Sequence, residues 1–106
     1  MSIMQDSILP AQLVELAERV IVANRRAGRT VAVAESCTGG LVSAALTEIV
    51  GSSDVFEAGF ITYSNDMKAQ LLKVSHDVID TFGAVSIATA WAMAQGALKQ
   101  SHAHVA

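Results

Sequence analysis

Within eleven residues the chain changes from strand-like to helix-like. Thr30-Val31-Ala32-Val33-Ala34 is a short apolar run and reads as a buried strand. Glu35-Ser36-Cys37-Thr38-Gly39-Gly40 follows at once. Leu41, Val42, Ala45, Leu46 and Ile49 then recur at helical spacing, so a helix is expected from Gly39 to about Ile49. A buried strand that feeds directly into an apolar-faced helix belongs to α/β layer structures. The junction also gathers two hydroxyls and a thiol. It does so at a turn where main-chain N–H groups lack intrahelical partners and so receive negative charge.

The rest of the chain repeats the alternation. A first helix has Pro10 in its first turn, Leu13, Leu16, Val20 and Ala23 as its inner stripe, and Gly28 as its stop. Beyond the turn Gly51-Ser52-Ser53-Asp54, residues 55–63 favour a second strand, with Gly59 marking a bulge or a close approach of another backbone. Ser64 or Asn65 is placed to cap a short helix carrying Lys68, Leu71 and Leu72; Ser75 caps another through Ile79. Ser86 caps a longer helix, with Ile87, Trp91, Ala94 and Leu98 along one side. Residues 101–106 drift toward apolar character and read as the entrance to a strand. With 106 residues, no internal repeat and no linker, the chain is one α/β domain. Two strands make a thin sheet, so the expectation is part of a larger domain.

Composition removes several functions. The chain is 52% hydrophobic and 16% charged, with a net charge of −3, which leaves no electrostatic footprint for a nucleic-acid polymer. Arg25, Arg26 and Arg29 cluster at a helix end, where positive charge complements the dipole. The single cysteine forms no internal disulfide and the N-terminus lacks the pattern of a signal peptide, which fits a cytoplasmic protein. Residues 81–98 are uncharged and long enough to raise the question of a membrane span. Ser86, Thr89, Gln95 and two glycines favour a buried soluble helix instead, and no membrane association is expected. The apolar composition and the thin sheet make a homo-oligomer plausible.

Ser36 needs a base before it acts as a nucleophile. His76, His102 and His104 lie in a capping region and in the tail, with no spacing toward Ser36. Lys68 follows Tyr63 at the end of the second strand. If the strands are parallel neighbours, both carboxyl ends lie at one edge, where open α/β sheets place ligands. An uncharged Lys68 would take the proton of Ser36, and Tyr63 would relay it or hold the hydroxyl. Free N–H groups near Thr38, Gly39 and Gly40 would stabilise an oxyanion or bind a phosphate. Structural readings stand beside these. Ser36 and Thr38 also suit helix caps, Cys37 a small buried hydrophobe, Lys68 a solvated helix position, Trp91 a core position, and Glu35 a partner for an arginine. The loop lacks the Gly-Lys-Ser/Thr ending of a P-loop, and His102 and His104 have no third metal ligand nearby.

Several ordered blocks together carry a resemblance: residues 33–40 (Val-Ala-Glu-Ser-Cys-Thr-Gly-Gly), residues 59–65 with Lys68, Leu71-Leu72-Lys73-Val74, Gly83-Ala84-Val85-Ser86, and Met93-Ala94-Gln95-Gly96-Ala97. They resemble the CinA C-terminal domain family, whose enzymatic members are nicotinamide-nucleotide amidases (NMN deamidases). The resemblance implies a three-layer α/β/α sandwich that hydrolyses the carboxamide of nicotinamide mononucleotide within the pyridine-nucleotide cycle. It implies catalytic roles for Ser36, Tyr63 and Lys68. Substrate contacts are expected from Glu35, Cys37, Thr38, Gly39, Gly40 and Asn65, with no metal and no organic cofactor. Family members continue past the equivalent of Ala106 into a further strand and a glycine-rich loop. Residues 1–106 are therefore expected to be the N-terminal part of one such domain, truncated at its C-terminal end. The alternative is a nucleotide-binding or regulatory module that does not hydrolyse its ligand. A third possibility is thiol chemistry at Cys37.

Overall fold

The computed structural model describes residues 7–106. Its elements are α1 (Ala11–Ala27), β1 (Val31–Glu35), α2 (Leu41–Glu48), a 3-10 turn (Ser52–Asp54), β2 (Phe56–Ile61), α3 (Asn65–Leu72), α4 (His76–Phe82) and α5 (Ile87–Ser101). β1 and β2 pair in parallel, with Val33 opposite Gly59 and Glu35 opposite Ile61. On the other side of β1, Val105 forms a parallel bridge to Val31. There Ala32 N–H donates to the Val105 carbonyl at 2.9 Å and Val105 N–H donates to Thr30 at 3.1 Å. β1 is therefore central, and the apolar tail enters the sheet as its composition implied.

Side-chain alternation along β1 feeds two cores. Val31 and Val33 face a cluster built from Val14, Ala17, Ile21, Ala45, Leu46 and Ile49. Ala34 faces Leu72, Val74, Ile79, Met93 and Ala97. Helices α1 and α2 thus cover one face and α3 to α5 the other, which is the expected α/β/α layering.

Local signals place the helix ends well. Gly28 closes α1 in the left-handed region at φ 67°. Ser64, Ser75 and Ser86 accept from the N–H groups of Met67, Asp77 and Thr89. Pro10 is the residue before α1 rather than part of its first turn, and α2 begins at Leu41 rather than Gly39. Two stripe assignments are corrected. α1 buries Val14, Ala17 and Ile21, while Leu16 and Val20 are exposed. α5 buries Thr89, Met93, Gly96 and Ala97, leaving Trp91 65% exposed rather than in the core. The cause in α5 is close packing on α3: any side chain at Gly96 would collide with the Leu72 carbonyl, so the small residues face inward. At Gly59 the close approach is of a side chain and not of another backbone: a Cβ there would strike the Ser43 hydroxyl. The strand irregularity lies elsewhere, between Val31 and Ala32.

Candidate functional site

The exit of β1 is organised by Glu35, which is only 3% exposed. Its Oε1 accepts from Thr38 Oγ1 at 2.7 Å, Gly40 N–H at 3.2 Å and Val42 N–H at 3.0 Å. Its Oε2 accepts from Ser43 N–H at 2.8 Å and Ser43 Oγ at 2.7 Å. Burial by itself pushes this carboxyl up. The hydroxyls of Ser43 and Thr38 and the N–H groups of Ser43 and Val42 outweigh it and lower the pKa from 4.5 to about 2. The carboxylate therefore performs the capping expected of Ser36 or Thr38, and no arginine pairs with it among the described residues. Gly40 precedes α2 at φ 106°, and a Cβ there would come within 2.8 Å of Ile61. Only glycine fits both conditions.

Hydrogen bonds occupy most of the turn's N–H groups. Gly39 N–H donates to the Ser36 carbonyl at 3.1 Å, and Leu41 N–H donates to Thr38 at 3.1 Å. Gly40 N–H is held by Glu35. Among the described residues, the N–H groups of Cys37 and Thr38 form no hydrogen bond. The donors expected at Thr38, Gly39 and Gly40 are thus reduced to Thr38, with Cys37 added. Cys37 itself is exposed, which removes its reading as a buried hydrophobe.

Ser36, half-buried, lines a cavity of about 210 Å³ with Cys37 and Thr38. The facing wall is Ala84, Val85, Ser86 and Met93. That wall is fixed by hydroxyls: Ser86 Oγ and Thr89 Oγ1 donate to the Gly83 carbonyl at 2.9 and 2.6 Å. In the sequence, residues 83–86 stand out as the approach to a cap and as one block of the family resemblance, with no site role. The available signal was the pairing of Ser86 with Thr89 one turn later, since a hydroxyl facing an apolar helix surface needs a nearby carbonyl.

The exit of β2 lies beside that of β1. Thr62 N–H donates to the Glu35 carbonyl at 2.9 Å and extends the pairing past Ile61. Tyr63 is 75% exposed, and its carbonyl accepts from Lys68 Nζ at 2.7 Å. Lys68 is 1% exposed, so it is not a solvated helix residue. Asn65, exposed, opens α3. The Thr62 hydroxyl is fully buried and has no hydrogen-bond partner among the described residues. Ser36 and the Tyr63–Lys68 turn are therefore brought to neighbouring strand ends, although Tyr63 and Lys68 are not part of the cavity lining. Among the described residues, no group of three or more His, Cys, Asp or Glu side chains is placed to hold a metal, and no helix is long and apolar enough to cross a membrane.

A family model described as the CinA C-terminal domain matches residues 13–106. The chain belongs to the CinA C-terminal domain family. Among curated relatives, it is 47% identical over 96 residues to the nicotinamide-nucleotide amidohydrolase PncC of Escherichia coli K12, covering 91% of this chain and 58% of PncC. It is 48% identical over 91 residues to a CinA-like protein of Chlorobium phaeovibrioides, covering 86% of this chain and 21% of that protein. This CinA domain also superposes on the competence/damage inducible protein CihA of Agrobacterium tumefaciens. The TM-score is 0.85 at 48% identity, covering 93% of this chain and 59% of that one. For the competence damage-inducible protein A of Klebsiella pneumoniae the TM-score is 0.83 at 32% identity, covering 86% and 56%. The chain thus spans little more than half of PncC and about a fifth of the CinA-like protein.

Proposed function

We propose that this CinA domain contributes the nucleophile of an amidohydrolase that converts nicotinamide mononucleotide to nicotinate mononucleotide and ammonia. The observation that carries the reading is the pairing of strand exits. Ser36 opens onto a cavity at the end of β1, and the adjacent strand leads into a buried amine, Lys68. The 47% identity to a nicotinamide-nucleotide amidohydrolase supports the choice of substrate.

In this reading Ser36 Oγ attacks the carboxamide carbon while Lys68 takes the hydroxyl proton. The oxyanion formed on the amide oxygen accepts from the N–H groups of Cys37 and Thr38. The Lys68 ammonium, directly or through Tyr63, returns the proton to the departing nitrogen, which leaves as ammonia. Water then attacks the ester, giving one proton to Lys68, which passes it to Ser36 Oγ as the C–O bond breaks; the carboxylic acid released gives its remaining proton to solvent and leaves as the carboxylate. Thr38 and Asn65 supply contacts to the nucleotide. No step uses a metal or an organic cofactor.

The test is ammonia release from nicotinamide mononucleotide by the chain and by Ser36→Ala. The expected loss is on the order of 1,000-fold or more. Equal rates would reject Ser36 as nucleophile. Nucleotide binding without any ammonia release would favour the regulatory-module reading instead.

A further inference from the structure

We infer that Glu35 is a positioning residue, whose buried carboxylate holds residues 36–43 so that the N–H groups of Cys37 and Thr38 stay open to the substrate oxygen. This inference rests on the deamidation reading above. A carboxylate offers about four lone-pair sites, and five donors from its own turn and helix already occupy both oxygens of Glu35. Little acceptor capacity remains for a substrate, so the substrate contact expected of Glu35 gives way to a role through its neighbours. Its low pKa keeps it ionised throughout the neutral range.

The residue joins both strand exits. Its carboxylate gathers Gly40, Val42 and Ser43 at the start of α2, while its main-chain carbonyl takes the N–H of Thr62 at the end of β2. Ser43, its strongest partner, also lies against Gly59 of β2. Without the carboxylate, the N–H groups of Gly40, Val42 and Ser43 lose their acceptor. They would then seek water or the substrate oxygen, and the turn carrying Ser36 would lose its fixed shape. A preorganised donor pair contributes to rate because no reorganisation is needed as charge develops.

Glu35→Gln keeps the shape but sets an NH₂ group against these donors. Its turnover of nicotinamide mononucleotide should fall about 10- to 100-fold in kcat, with KM within about threefold of the unchanged chain. Amide hydrogen exchange at Gly40, Val42 and Ser43 should quicken at least about tenfold, while Met93 and Ala97 in α5 keep their protection. Ser43→Ala removes only one side-chain donor and should lower kcat about threefold; it decides the matter if Glu35→Gln does not fold. A kcat within about twofold of the unchanged chain overturns the inference, as does a raised KM with kcat intact, which would make Glu35 a substrate contact. If the unchanged chain shows no turnover, the deamidation reading fails. Exchange then decides the positioning role: unaltered protection at Gly40, Val42 and Ser43 in Glu35→Gln contradicts it.

Discussion

The two strand exits bring their chemistry to the same edge by opposite means. After β1, a buried carboxylate takes five donors, and every residue from Thr38 to Ser43 except Gly39 and Leu41 is tied to it directly. Those two are held by main-chain bonds within the turn. After β2, Lys68 is equally buried but makes one side-chain hydrogen bond, to a main-chain carbonyl, and Thr62 carries an unpartnered hydroxyl. The first exit is over-determined and suited to hold an attacking group and its donors in place. The second is held by packing, with few polar ties. In the proposed reaction the first exit would hold the developing charge and the second would carry the proton.

The largest effect expected from this contrast is on acid stability. Glu35 has its pKa lowered on folding, so its stabilisation is complete above the unfolded value near 4.5 and is lost as pH falls toward about 2. Urea unfolding followed from neutral pH downward should show up to about 3 kcal/mol disappearing across that window, and Glu35→Gln should lack that part of the slope. An identical slope in both proteins would break the picture of the first exit as the tightly held one. A smaller effect is expected at the second exit. Thr62→Val removes an orphaned buried hydroxyl at nearly constant shape, and should raise the unfolding free energy by about 1 kcal/mol. A loss of stability of that size would mean the hydroxyl has a partner, and the contrast would weaken.

What the sequence made legible follows the range of the interactions involved. The caps at Gly28, Ser64, Ser75 and Ser86 are local, set by glycine's left-handed backbone in the first and by hydroxyls within three residues of their donors in the others, and they were readable. Parallel pairing of the strands, only a condition in the sequence, is what the intervening helix permits and what the fold adopts. The inner stripe of α1 was misplaced by one position because Leu13, Leu16 and Val20 and Val14, Ala17 and Ile21 are both apolar at helical spacing. Periodicity cannot choose between two apolar stripes; the partner helix does. Trp91 was misjudged because size favours the core on average, whereas α5 approaches α3 so closely at Gly96 that no side chain fits there. At the site, Ser36 and Lys68 stood out from their chemistry and from the family resemblance. The burial of Lys68 and the five-donor grip on Glu35 depend on groups brought together by tertiary packing, and nothing in the neighbouring residues announced either.

The central claim is that the alcohol at one strand end and the amine at the other act as a single unit. Ser36→Ala, Lys68→Met and the double variant, assayed together for ammonia release from nicotinamide mononucleotide, test it most directly. Each single change should slow release by on the order of 1,000-fold, and the double variant should be no slower than the slower single. Penalties that multiply in the double variant would show two independent contributions and contradict a shared proton transfer.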